Sequence, residues 1–136
     1  MATTSNLNEY LLLSRGKWDP GKSPEEIQGA IDAFYAWYDR LLAEGRFGRG
    51  QRLATGAKFV TRSGITDGPF TEAKEVIGGY WFIRAASLEE AARIAADNPC
   101  LACGLSYEIR PVEPARASAY RDSNETPTRA PARGEP

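Results

Sequence analysis

The chain has 136 residues, and its 42% hydrophobic content is enough for one domain with a buried core. Its 17 basic and 18 acidic residues nearly balance, so the chain lacks the large excess of basic residues that neutralises nucleic-acid phosphates. We therefore expect no direct nucleic-acid partner and no membrane partner. It has no histidine, which excludes Ser-His-Asp and Cys-His catalysis and removes the commonest metal ligand, so we expect no metal and no cofactor.

The N-terminal segment predicts a strand. It lacks a basic region, and its apolar run at residues 10–13 is shorter than the core of a signal peptide, so we expect a cytoplasmic protein. Residues 8–14 are apolar and bounded by polar residues, which favours a buried strand.

A capping box begins the next element. Ser23 is the predicted N-cap, Pro24 occupies the first helical position, and Glu26 is placed to bond back to the cap. Apolar residues then recur at helical spacing until Gly45. The pattern predicts a helix over residues 24–44.

Glycine and arginine alternate after this helix. Residues 45–52 place three arginines among glycines, which predicts a solvated loop; the alternative is a loop that holds a phosphate or nucleotide. Residues 51–62 contain two short extended pieces broken at Gly56, and turn residues follow them. This part of the chain predicts a hairpin.

The second half repeats the order of the first. Residues 76–84 are aromatic and β-branched, which predicts a strand. Ser87 and Glu90 form a second capping box before a helix that ends at Asn98. Residues 105–112 alternate as a last strand. Between them lie Cys100 and Cys103, which we expect to be reduced thiols in a loop.

Two strand-helix-strand units in succession predict an α+β fold, a ferredoxin-like split βαβ with an extra hairpin. Its antiparallel sheet carries two helices on one face. Its other face needs a cover, and packing against a second subunit in a homodimer is the simplest one. We assign residues 1–113 to this domain, and residues 114–136, rich in Pro, Ala and Arg, to a disordered tail.

Three segments carry a family resemblance. Residues 66–75 read TDGPFTEAKE, residues 78–83 read GGYWFI, and residues 107–112 read YEIRPV. From about Tyr10 to Val112 this order closely resembles the DGPF-motif group of the YCII-related family. The resemblance implies a dimeric α/β, ferredoxin-like fold, and proteins of this group are often encoded beside sigma factors of the extracytoplasmic-function type. The His-Asp pair suggested as an active site in the wider family is incomplete here, and only Asp67 matches.

The DGPF stretch is also the candidate site. Asp67 either caps an Asx-turn or faces a cleft, and Phe70 either fills the core or lines that cleft. In an extended chain Glu72 and Lys74 share a face with Phe70, where a carboxylate beside an ammonium serves as acid or base, or forms a surface ion pair. Asp67, Glu72 and Lys74 are our predicted catalytic residues.

Aromatic residues complete the predicted ligand site. Trp18 precedes the first helix and either closes a pocket or plugs the sheet edge. Tyr80 and Trp81 lie on opposite faces of their strand, and alternation alone does not assign the faces. Together with Phe70, these are the predicted ligand-binding residues.

Two functions of different classes follow from these features. The first is a small-molecule pocket near the DGPF turn, with metal-free acid/base chemistry on a small polar metabolite. The alternative is a non-catalytic regulatory or interaction module that contacts a sigma factor, with its tail folding on binding. A purely structural turn, sealed by its own side chains, needs no pocket.

Overall fold

A computed structural model describes residues 7–67 and 76–127. Within them, four strands form one antiparallel sheet in the order β2-β5-β1-β6, and two more form a separate hairpin, β3-β4. The strands are β1 (Asn8–Arg15), β2 (Phe47–Arg52), β3 (Phe59–Thr61), β4 (Gly64–Thr66), β5 (Ile77–Ala85) and β6 (Ser106–Pro111). The helices are α1 (Pro24–Ala43), α2 (Leu88–Ala95) and a 3₁₀ helix (Pro99–Cys103).

Both predicted helices are present, but their N-termini differ. At α1 the Ser23 hydroxyl accepts from the Glu26 amide at 3.1 Å, and the Glu26 carboxylate accepts from the Ser23 amide at 3.0 Å. At α2 Ser87 caps in the same way, but the Glu90 carboxylate accepts from the Ala86 amide at 2.7 Å. The first capping box is therefore confirmed, and the second is half formed.

The two helices pack on the same face of the sheet, as predicted. Side chains that alternate along β1 and β5 are buried there: Tyr10, Leu12, Trp81, Ile83 and Ala85. They join one core with buried residues of both helices: Phe34, Trp37, Tyr38, Ala91 and Ala95. The α+β, ferredoxin-like arrangement is confirmed.

The prediction of a solvated loop at residues 45–52 was wrong. Most of this segment is the edge strand β2, which pairs with β5. Phe47 is 1% exposed, and its ring centroid lies 5.1 Å from that of Trp37 and 5.5 Å from that of Tyr38. Burial of this one ring outweighs the low strand propensity of the glycines beside it.

Glycines of two neighbouring strands make room for the Trp81 indole. A Cβ on Gly50 would overlap the Tyr80 carbonyl oxygen and lie 2.7 Å from Trp81 Cδ1. A Cβ on Gly79 would lie 2.7 Å from Trp81 Cη2. The register of β2 against β5 also shifts between Gly48 and Gln51, which is the irregularity that glycines accommodate.

The predicted hairpin is present, and its first strand, β3, lies within residues 51–62, but its second strand, β4, is formed by residues that were predicted as a turn. β3 pairs with β4 from Phe59 opposite Thr66 to Thr61 opposite Gly64. Gly64 has a φ of 131°, which favours glycine at this turn. The following stretch, residues 68–75, lies outside the described residues.

The second face of the sheet carries an apolar patch with charged neighbours. Leu11 lies opposite Phe82, and Leu13 lies opposite Tyr80. We call these four residues the open face. Beside them Glu108 accepts from Arg15 at 2.8 Å and from Arg110 at 3.0 Å, and these guanidinium groups hold the pKa of its carboxyl below the usual value.

Residues 114–127, beyond β6, are exposed apart from the half-buried Thr126, and they form no helix or strand. The disorder of residues 114–136 and the association with a sigma factor stay predictions. Among the described residues no helix is both long enough and apolar enough to cross a membrane.

A pair of glycine substitutions tests the packing around Trp81. We expect Gly50→Ala to lower the free energy of unfolding by about 2–4 kcal/mol, because its methyl group meets the β5 backbone. Gly29 is exposed within α1 and has nothing within 4 Å of an added Cβ, so Gly29→Ala is the control, with a gain of about 0.5–1 kcal/mol. Urea unfolding measures both; equal stability of the two variants would contradict this packing.

Candidate ligand-binding cleft

Two adjoining cavities lie at one end of the main sheet. The inner one has a volume of about 90 Å³, and the outer one about 360 Å³. Trp18, Arg52 and Leu105 line both, so the two spaces meet along these side chains. We call them together the cleft.

The inner cavity has mostly aromatic and aliphatic walls. From α1 come Ile31, Phe34 and Tyr35, and from β5 comes Trp81. The Phe34 and Trp81 rings meet edge to face, with centroids 5.2 Å apart. Such walls favour a flat apolar group.

The Trp18 loop is held against the 3₁₀ helix. The Asp19 amide donates to the Cys103 carbonyl at 2.8 Å. Gly104 ends the 3₁₀ helix with a φ of 106°, and a side chain on it would run into Asp19. A glycine is therefore required here for the loop to approach, and this approach brings Trp18 onto the core.

Arg52 supplies a positive charge to the cleft. It is the last residue of β2, and its guanidinium lies over Gly78, where an added Cβ would be 3.2 Å from Arg52 Nη1. The same Cβ would be 3.4 Å from Ser14 Oγ, so the two side chains are neighbours. Within residues 7–67 and 76–127 no salt bridge to Arg52 is formed.

Polar groups collect around Tyr107 at the base of the inner cavity. Burial and the neighbouring Cys100 together raise the pKa of the Tyr107 phenol to about 12, and the nearby side chains of Ser14 and Asn98 act in the opposite direction. The phenol therefore stays protonated at neutral pH.

The two cysteines anchor the 3₁₀ helix to α1. Cys100 Sγ lies 3.8 Å from the Ala30 carbonyl oxygen, and Cys103 Sγ lies 3.9 Å from that of Glu26. Both thiols are free, as predicted, but they are buried in a 3₁₀ helix and do not lie in a loop. Burial raises the pKa of Cys100, which makes it a poor nucleophile.

A family model for the YCII-related domain matches residues 9–116. The chain belongs to the YCII-related family. An uncharacterized protein of Rhizobium meliloti (strain 1021) is 34% identical over 100 residues, which are 66% of this chain and 78% of that protein.

Solved structures show more distant similarity to this YCII-related protein. The 5-chloro-2-hydroxyhydroquinone dehydrochlorinase TftG of Burkholderia phenoliruptrix AC1100 has a TM-score of 0.44 and 20% identity, over 84% of this chain and 99% of that one. The hydroxynitrile lyase of Passiflora edulis has a TM-score of 0.38 and 9% identity, over 81% and 98%. Similarity at this level says nothing about the substrate of this chain.

The YCII-related fold brings only some of the predicted site residues together. Trp18 and Trp81 both line the inner cavity. Tyr80 lies on the open face and Trp81 on the helix face, so the structure assigns the two faces that the sequence left open. Asp67 ends the β3-β4 hairpin with its side chain 86% exposed and paired with Lys58.

Three predicted residues, Phe70, Glu72 and Lys74, lie outside the described residues, and the assignment of roles to Asp67, Glu72 and Lys74 stays a prediction. Val76 directly follows residues 68–75 and lines the outer cavity.

Sequence reasoning missed the polar residues of the cleft. Arg52 was noticed only within an arginine-rich loop, and Tyr107 only as part of an alternating strand. Two positions could have indicated them. Ser14 is a polar residue at an inward-facing position of a strand, and Asn98 is a polar residue that follows a helix; a buried polar group at such a position needs a hydrogen-bond partner. Among the described residues there is no group of three or more metal-ligating side chains.

The Tyr107 phenol gives a spectroscopic test of this geometry. We expect the difference between the tyrosinate titrations of the wild type and Tyr107→Phe to be centred near pH 12, because burial disfavours the charged form. Because the pKa of the phenol is higher in the folded protein than in the unfolded chain, the protonated phenol contributes to the free energy of unfolding. This contribution is complete below about pH 10, the ordinary pKa, and is lost as the pH rises towards 12. A difference titration centred at the ordinary pKa would show that the phenol is exposed to water.

Proposed function

We propose that this YCII-related protein binds a small organic anion in the cleft, with the anionic group on Arg52 and an apolar part between Trp18 and the α1 wall. The observation that carries the proposal is the position of Arg52, which lines both cavities and has no acidic partner among the described residues.

The charge and the walls of the cleft select for different parts of one molecule. A guanidinium presents paired donors that match a carboxylate, and it is always charged at physiological pH. Aromatic walls favour a flat apolar group by excluding water from it. A compound with only one of these parts would satisfy half of the site.

Acid/base chemistry on the bound molecule is a further part of the proposal. Asp67 or Glu72 would exchange the proton, and Lys74 would stabilise the charge that develops. The supporting observation is that Val76, two residues after Lys74 in the sequence, lines the outer cavity. The chemistry would need no metal, because carboxylates and an ammonium group supply the proton and the charge.

We also propose that the open face is covered by a second copy of the chain in a homodimer. Its leucines and aromatic rings form a continuous apolar patch, and Tyr80 and Phe82 are only partly buried in the single chain. Such a patch on a sheet favours association. The ligand and the second subunit would then lie on opposite sides of one sheet.

Substitution of Arg52 tests the anion site. We expect benzoate to bind the wild type, and Arg52→Gln to weaken this binding about tenfold to a hundredfold, the effect of losing a charge-assisted hydrogen bond. Arg49→Gln removes the same charge from an exposed position of the same strand and is the control. Calorimetric titration at low and high salt measures the affinity; unchanged binding by Arg52→Gln, or no binding of benzoate to the wild type, would contradict the proposal.

The homodimer is tested on the open face itself. We expect Leu13→Glu to give a monomer, because the new carboxylate lies opposite Tyr80 and beside Glu108. Val60→Glu makes the same change at a 69% exposed residue of the hairpin and should leave a dimer. Analytical ultracentrifugation separates the outcomes; a monomeric wild type, or a dimeric Leu13→Glu, would refute the arrangement.

A further inference from the structure

One buried polar atom near the cleft lacks a partner. Asn98 is 3% exposed, and its Oδ1 accepts from the Cys100 amide at 2.9 Å. Because a backbone amide only donates, this bond fixes which end of the Asn98 side chain is the oxygen. Its Nδ2 has no hydrogen-bond partner among the described residues.

An unpartnered buried donor is costly, so it indicates a missing acceptor. Asn98 is bonded to the amide of Cys100, and Cys100 and Tyr107 both line the inner cavity. Ser14, 1% exposed, lies opposite Tyr107 in the pairing of β1 with β6 and lines the outer cavity. Two side chains with donor hydrogens thus line the cleft, and the unpartnered Asn98 donor lies beside the wall that Cys100 forms.

One neighbour of the phenol is a weak acceptor. Cys100 lines the inner cavity together with Tyr107, and a thiol accepts hydrogen bonds poorly. An oxygen brought to this position by a ligand would accept more strongly from the phenol, and it would also lie near the unpartnered Asn98 donor.

We propose that Tyr107, Ser14 and Asn98 form an oxygen-binding subsite, so that the ligand is a small, flat organic acid with a second oxygen, a hydroxyl or a carbonyl, set apart from its anionic group. This inference rests on the proposed function, because Arg52 must hold the anionic end.

A single ring fits the cleft if it spans both cavities, of about 90 Å³ and about 360 Å³. The inner cavity, about 90 Å³, exceeds the roughly 30 Å³ that one water occupies in the liquid. It is smaller than the apolar cavity of about 150 Å³ that binds benzene in an engineered protein. A ring that enters it would extend its anionic substituent into the outer cavity, which Arg52 also lines.

A set of matched probes tests the subsite. Benzoate carries the ring and the carboxylate only, and 2-, 3- and 4-hydroxybenzoate each add one oxygen at a different position. Calorimetric titration of the full chain gives the affinity of each probe for the wild type, Tyr107→Phe and the control Tyr35→Phe. Tyr35 lines the same cavity, so its variant removes a hydroxyl from another wall.

We expect at least one hydroxybenzoate to bind the wild type about fivefold to tenfold more tightly than benzoate, the effect of one hydrogen bond. Tyr107→Phe should abolish this difference, so that it binds all four probes with about the same affinity, and an unchanged far-ultraviolet circular dichroism spectrum shows that the variant is folded. Tyr35→Phe should retain the difference.

Two results would overturn the subsite: no hydroxybenzoate exceeds benzoate, or the advantage survives in Tyr107→Phe. Either leaves benzoate bound through Arg52, so the proposed function would stand. Failure of all four probes to bind the wild type would overturn both the subsite and the proposed function.

Discussion

The edge-to-face contact between Phe34 of α1 and Trp81 of β5 sets the distance between the helix and the sheet. The indole fits because Gly50 of β2 and Gly79 of β5 leave room for it. Phe34 also stacks on Tyr38, and Tyr38 packs against Phe47, so the same aromatic layer secures the edge strand β2. The cleft lies at one end of this layer and uses two of its rings as walls. Packing and function therefore depend on the same side chains.

This arrangement separates the chemistry of the two sheet faces. On the helix side, burial around Tyr107 raises the pKa of its phenol, and the nearby cation Arg52 has no acidic partner among the described residues. On the other side, the charges are paired with one another, since Glu108 accepts from both Arg15 and Arg110. An unpaired cation beside aromatic walls suits a ligand, whereas leucines and rings beside paired charges suit a protein surface. Our proposals for the cleft and the open face follow from this difference.

Local patterns predicted the helices, the inner strands and the α+β fold, because caps and hydrophobic periodicity depend on neighbouring residues. They failed at β2, where the decisive interaction joins Phe47 to Trp37 and Tyr38. They also gave the wrong partner for the Glu90 carboxylate, which accepts from the Ala86 amide and not from the amide of the N-cap residue. Trp18 and Trp81 were predicted as site residues and do line the cleft. The polar subsite was out of reach, because Ser14 is far along the chain from Asn98 and Tyr107 and meets them only in the fold. Tyr80 shows the same limit, since alternation gives two faces without saying which one is buried.

The central claim is that the cleft, and not the surface of the hairpin that carries Asp67, receives the ligand. Crystals soaked with 2-, 3- and 4-hydroxybenzoate test this claim most directly, because the electron density locates the bound molecule. We expect the carboxylate on Arg52, the ring between Trp18 and Phe34, and the hydroxyl near Tyr107. Density for the ring on the hairpin beside Asp67 and Lys58, with the cleft unchanged, would contradict the account.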